Sequence, residues 1–150
     1  MNQIQAQPAT IRREDYTRPD YRIETVDLEF DLTPEITRVK STLSVKASHD
    51  TAKGVRPLVL DGEDLKLLRV AIDGKDLPVG RYTLDEKHLT IPSPPDSFTL
   101  EIETEISPIS NTALTGLYIS SNVFCTQCEA QGFRRITYFP DRPDVMATLR

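Results

Sequence analysis

The sequence predicts an all-β chain, an antiparallel β-sandwich, on three observations. Apolar and polar residues alternate with a period of two in several runs. Asp-Gly pairs and prolines punctuate those runs, and no helix-length window carries a helical period. Many short strands with regularly spaced turn signals are the pattern of a sandwich.

Residues 1–12, polar and glutamine-rich around Pro8, read as a mobile N-terminal tail, with a β domain filling 13–150. The charged stretch from Ile11 to Asp20 reads as a strap laid over the surface. Val26, Leu28, Phe30 and Leu32 then alternate with Asp27, Glu29 and Asp31, a half-buried strand that ends at Thr33-Pro34. Val39, Ser41, Leu43, Val45 and Ala47 alternate with Arg38, Lys40, Thr42, Ser44 and Lys46 and predict its antiparallel partner. The outer face of the first strand is acidic and that of the second basic. Cross-strand charge pairs there would set register, at roughly 0.2–1 kcal/mol each.

Leu58 to Leu60 predicts a short strand stopped by Asp61-Gly62, and Leu68, Val70 and Ile72 predict another stopped by Asp73-Gly74. Gly62 to Lys66 is the best candidate for a single helical turn. Tyr82 to Leu84 and Leu89 to Ile91 flank Asp85-Glu86-Lys87 as a hairpin. Phe98, Leu100, Ile102, Thr104 and Ile106, alternating with Thr99, Glu101, Glu103 and Glu105, form the clearest strand, its glutamates read as a solvated face. Pro143 to Leu149 is either a helical turn or the start of a strand.

Composition excludes several functions. Lys plus Arg is 18 against 23 Asp plus Glu, a net charge of -5, so the overall field attracts neither nucleic acid nor an anionic membrane. No stretch is long and apolar enough to span a bilayer as a helix, and Met1 to Arg13 lacks the apolar centre of a secretory signal. Two cysteines do not make a disulfide framework, and a reducing, cytoplasmic location is expected. His49 and His88 each stand alone as exposed imidazoles, and no metal-ligand spacing, GxSxG or P-loop is present. Cys125-Thr126-Gln127-Cys128 is a CxxC without the two further ligands of a zinc site or the βαβ context of a redox pair.

The pattern changes at Asn111. From there to Asp144 the chain stops alternating and gathers two Cys, Gln127, Glu129, Gly132, paired arginines and prolines, as a loop under a specific geometric demand does. Thr112-Ala113-Leu114, Gly116-Leu117-Tyr118, Thr126-Gln127-Cys128-Glu129-Ala130, Gly132-Phe133-Arg134, Ile136-Thr137-Tyr138 and Asp141-Arg142-Pro143-Asp144-Val145 form one run. This run resembles the end of the N-terminal domain of the zinc aminopeptidase N family, in its bacterial branch. Upstream, Asp15-Tyr16, Pro19-Asp20-Tyr21, Asp27-Leu28, Phe30-Asp31-Leu32, Leu60 and the stretch Gly62 to Leu67 fit as well. The resemblance covers nearly the whole chain and is weakest over residues 70–98.

The resemblance implies a saddle-shaped β domain that caps a zinc-bearing catalytic domain of the longer protein. The zinc site (HExxH with a downstream Glu), the GAMEN segment and the catalytic tyrosine of the family are absent from these residues. The chain is therefore expected to be a domain truncated before its last strands, with no zinc and no activity of its own. An exposed sheet edge and a tendency to self-associate would follow. By matching position, Glu129 would bind the free α-ammonium group of a peptide substrate, and Gln127 would line the pocket for its first side chain. The partners implied are peptides with a free N-terminus and the catalytic domain itself, with no nucleic acid and no membrane. Composition and periodicity alone fit a stand-alone β-sandwich binding module equally well, and a redox or zinc-binding CxxC protein is a remote third reading.

Overall fold

The computed structural model describes residues 10, 12–48, 54 and 56–150. His49 and nearly all of the predicted tail lie outside the described residues. Among the described residues eleven strands run in chain order: β1 (Tyr21–Asp31), β2 (Thr37–Ala47), β3 (Leu58–Asp61), β4 (Lys66–Ile72), β5 (Lys75–Asp76), β6 (Thr83–Leu84), β7 (His88–Ile91), β8 (Ser97–Ile106), β9 (Gly116–Ser120), β10 (Val123–Gln127) and β11 (Thr148–Leu149). They form a six-stranded sheet ordered β11-β1-β2-β8-β4-β5, a three-stranded sheet β3-β7-β6 and the two-stranded ribbon β10-β9. The all-β, mainly antiparallel class read from the periodicity holds. Among the described residues no helix is long and apolar enough to cross a membrane.

The alternation of β2 and β8 fixes the inner face. Leu43 pairs with Leu100, Val45 with Phe98 and Ser41 with Ile102, and all six are buried. Across from them, the three-stranded sheet contributes Leu58, Leu60, Leu89 and Ile91, and Tyr138 and Phe139 close the same core. The outer face of the large sheet alternates in sign from strand to strand. Glu29 faces Lys40 at 3.7 Å, Lys66 reaches Glu105 at 3.0 Å, and Arg69 holds Glu101 at 2.7 Å and Glu103 at 3.6 Å. The β8 glutamates are thus ion-paired to β4 rather than merely solvated, because β4 pairs with β8 and not with its sequence neighbour β3.

Four local readings change. β1 begins at Tyr21, five residues before the predicted alternation, and its register slips between Ile23 and Thr25, so Tyr21, Ile23 and Val26 all face the core. A second slip between Leu67 and Arg69 leaves Leu68 40% exposed and turns Leu67 inward in its place. Asp73-Gly74 is the predicted tight turn, with φ of 49° and 76°. Asp61-Gly62 is not. Asp61 forms a backbone bridge to Phe139, and Gly62 lies against the Tyr138 ring, where a Cβ would stand 2.1 Å from Cε1. The helical turn expected over 62–66 is absent, since Asp64 adopts φ 53° and β4 starts at Lys66. Residues 148–149 form a strand, parallel to β1.

Candidate functional site

The stretch after Asn111 opens with a hairpin, β9–β10, rather than a continuous loop. Ser121 and Asn122 connect the strands with φ of 50° and 62°, the backbone of a two-residue type I′ turn. Ser-Asn is a weak signal for that turn, and the strands lack clean alternation. Leu117 of β9 is buried beneath the ribbon with Val39, Ile106 and Ile136 in a second apolar cluster. No charged residue stands between Glu105 and Glu129, a signal of this uncharged hairpin that is present in the sequence.

Gln127 ends β10 directly opposite Gly116, and the chain turns at once. The Gly132 N–H donates to the Cys128 carbonyl at 2.8 Å, closing a tight loop with Glu129, Ala130 and Gln131 at its exposed apex. The Glu129–Ala130 peptide is cis. Gln127 and Glu129 are both exposed, while Cys128 between them is half-buried against the second cluster. Burial, with Asp141 nearby, pushes the Cys128 thiol above its ordinary value. The structure therefore brings the two predicted site residues to the same short segment, with an inward anchor between them.

The paired arginines, obvious partners for Glu129 by sequence, are both committed elsewhere. The Arg134 guanidinium donates to Asp141 Oδ2 at 3.1 Å and to the Asp141 carbonyl at 3.1 Å. Arg135 donates to Glu63 at 2.5 Å and Asp64 at 2.6 Å. Among the described residues Glu129 forms no ion pair, and neither Glu129 nor Gln127 makes a side-chain hydrogen bond. Glu129 is thus an exposed carboxylate without an ion pair among the described residues.

The remaining candidates are placed differently from expectation. His88 is not a lone imidazole: its Nδ1 lies 3.3 Å from Asp85 and its Nε2 3.8 Å from Asp61. Asp85 is held below the usual carboxylate range, first by the Lys87 backbone N–H. Cys125 and Cys128 are both free thiols. Among the described residues no group of three or more His, Cys, Asp or Glu could hold a metal ion. A groove of about 1060 Å³ runs between residues 16–24 and 144–146, and neither Gln127 nor Glu129 lines it.

Residues 17–150 match the family described as the peptidase M1 N-terminal domain. The chain is 53% identical over 140 residues to aminopeptidase N of Caulobacter vibrioides, covering 93% of this chain and 16% of that protein. It is 49% identical over 141 residues to aminopeptidase N of Escherichia coli, covering 94% of this chain and again 16% of the relative. It thus spans about a sixth of the length of the curated relatives it matches. Among solved structures it is similar to aminopeptidase A of Legionella pneumophila in complex with aspartic acid, with a TM-score of 0.82 and 34% identity over 91% of this chain and 16% of that one. An M1 zinc metallopeptidase of Deinococcus radiodurans, at 18% identity and a TM-score of 0.69 over 87% of this chain and 31% of that one, shares the fold.

Proposed function

This chain belongs to the peptidase M1 N-terminal domain family, and from that membership we propose that residues 13–150 are the N-terminal β domain of a zinc-dependent aminopeptidase. In the longer protein Glu129 binds the α-ammonium group of a peptide substrate, and Gln127 contacts the first side chain. The zinc and the catalytic residues come from the rest of that protein, which is also this domain's main partner. When bound there, zinc polarises the scissile carbonyl and activates water.

The observation that carries this reading is the unpaired Glu129 carboxylate at the apex of an anchored turn, with Arg134 and Arg135 engaged by Asp141, Glu63 and Asp64. An exopeptidase must count residues from the amino end of its substrate. A fixed carboxylate at the closed end of the cleft does so, because an internal peptide nitrogen carries no charge to meet it. A charge-assisted hydrogen bond of this kind contributes about 1.5–3 kcal/mol. Its loss therefore costs roughly 10- to 150-fold in kcat/KM. The free thiols fit a reducing compartment, and a cytoplasmic location is part of this reading.

The test is hydrolysis of an alanine chromogenic amide by the full-length enzyme with and without Glu129→Gln. A drop of about tenfold or more in kcat/KM, with zinc content and folding unchanged, supports the amine anchor. Unchanged kinetics would leave Glu129 as scaffold and the domain as a support for the catalytic domain.

A further inference from the structure

We propose that Gly132 is the positioning residue of the Gln127–Glu129 segment, an inference that rests on the aminopeptidase reading. Gly132 is buried beneath the turn that carries Glu129. Its backbone lies at φ -91°, ψ -17°, a conformation open to every residue, so glycine is not needed there for its dihedral freedom. It is needed for space. A Cβ at 132 would stand 2.3 Å from the Gln127 carbonyl oxygen and 2.9 Å from the Cys128 α-carbon. Both are backbone atoms, so no rotamer change relieves the contact.

The segment has little freedom elsewhere. Gln127 is tied into the ladder opposite Gly116, the Cys128 carbonyl accepts from the Gly132 N–H, and the Cys128 side chain packs on the second cluster. Ordinary contact begins near 3.4 Å, so a methyl at 132 moves the Gln127 carbonyl by about 1 Å. A misplacement of that size costs about 10²-fold where a group must meet its substrate in one geometry. The bare α-carbon of Gly132 thus sets the height at which Glu129 stands.

The test compares inhibition of the full-length enzyme by alanine hydroxamate and by propionohydroxamate, which lacks only the amine. The ratio of the two inhibition constants reads the contact between Glu129 and the ammonium group. Glu129→Gln is expected to lower the preference for the amine by roughly 10- to 150-fold, and Gly132→Ala to lower it by about tenfold or more. The double variant should be no worse than Glu129→Gln alone, since Gly132 acts through Glu129. A preference kept in Gly132→Ala but lost in Glu129→Gln overturns the positioning role and leaves the aminopeptidase reading standing. A preference kept in Glu129→Gln overturns both.

Gly62→Ala, which strains the core against Tyr138, is the control for general softening. It should keep the preference, and its loss there would also overturn the role. Should Gly132→Ala fail to fold, Cys128→Ala loosens the same segment from its other side without a new contact. A lowered preference then supports the proposal, and the wild-type ratio overturns it.

Discussion

Gly116 stands directly across the β9–β10 ladder from Gln127, and a Cβ at 116 would meet the Cβ of Arg135 at 2.6 Å. Arg135 in turn is clamped by Glu63 and Asp64, so its side chain links the loop before β4 to the turn at Phe133–Arg135, whose backbone packs on Gly116 at the end of the hairpin. Gly116 also adopts φ 75°, where an L side chain is strained. Gly116→Ala combines that strain with overpacking and is expected to destabilise the fold by about 2–4 kcal/mol. Urea unfolding checks it, and a loss below about 0.5 kcal/mol, the usual range for a neutral surface change, would contradict this account.

The segment that follows the site is fastened to the large sheet by buried hydroxyls. Ser41 Oγ and Thr137 Oγ1 are 2.8 Å apart, and Thr104 Oγ1 donates to the Ile136 carbonyl at 3.1 Å, all out of contact with water. Removing one partner strands the other. Ser41→Ala should cost about 1–3 kcal/mol. Ser41→Ala with Thr137→Val should cost less than the sum of the singles, by about 0.5–3 kcal/mol of coupling. A double-mutant cycle by denaturant titration measures this, and strict additivity would show that the two hydroxyls do not depend on each other.

Strands β2 and β8 were legible residue by residue because each carries unbroken alternation and lies inside the sheet, where one face must be buried. β1 was legible in phase from Val26 onward and β4 from Val70 onward, but the irregularities near Glu24 and Leu68 hid the inward Tyr21 and Ile23 before the first and exchanged Leu67 for Leu68 at the second. The Asp61-Gly62 pair misled for a related reason. Its glycine answers to the Tyr138 ring, far along the chain, and not to a local turn. Gln127 and Glu129 were singled out as candidates only through resemblance, because nothing in their spacing marks a carboxylate as unpaired. That property depends on where Arg134 and Arg135 send their guanidinium groups, and Asp141, Glu63 and Asp64 decide it only once the chain is folded.

The Cys128 thiol, pushed up by burial and then by Asp141, should alkylate slowly. At pH 8 iodoacetamide should modify Cys128 more slowly in the folded protein than in urea, as read by peptide mass spectrometry. The raised folded value also fixes the sign of a pH effect. The stability that comes from burying the neutral thiol is fully present below the ordinary thiol range, about 8.5, and is lost as pH rises through the higher folded value. The urea midpoint of the wild-type protein should therefore fall more steeply above about pH 9 than that of Cys128→Ala. Parallel profiles would show that the buried thiol does not titrate with unfolding.

The β9–β10 hairpin and the loop before it carry an exposed, uncharged surface. Val123 is 59% exposed, Leu114 56% and Phe124 37%, and charge is absent from Ile106 to Cys128 in a chain that is 27% charged overall. A two-stranded ribbon gains little stability alone, and this one leads directly to Gln127 and Glu129. On the aminopeptidase reading, these exposed apolar residues, which β10 presents on both of its faces, are where the rest of the enzyme seats and approaches Glu129. Val123→Asp and Phe124→Asp in the full-length enzyme should each lower kcat/KM by about tenfold or more, because a carboxylate desolvated at an interface without a partner costs several kcal/mol. Val79→Asp, at a turn position 92% exposed, should leave kcat/KM unchanged. Equal activity for all three variants would mean that the hairpin faces solvent in the whole enzyme and that the rest of it approaches Glu129 from another side.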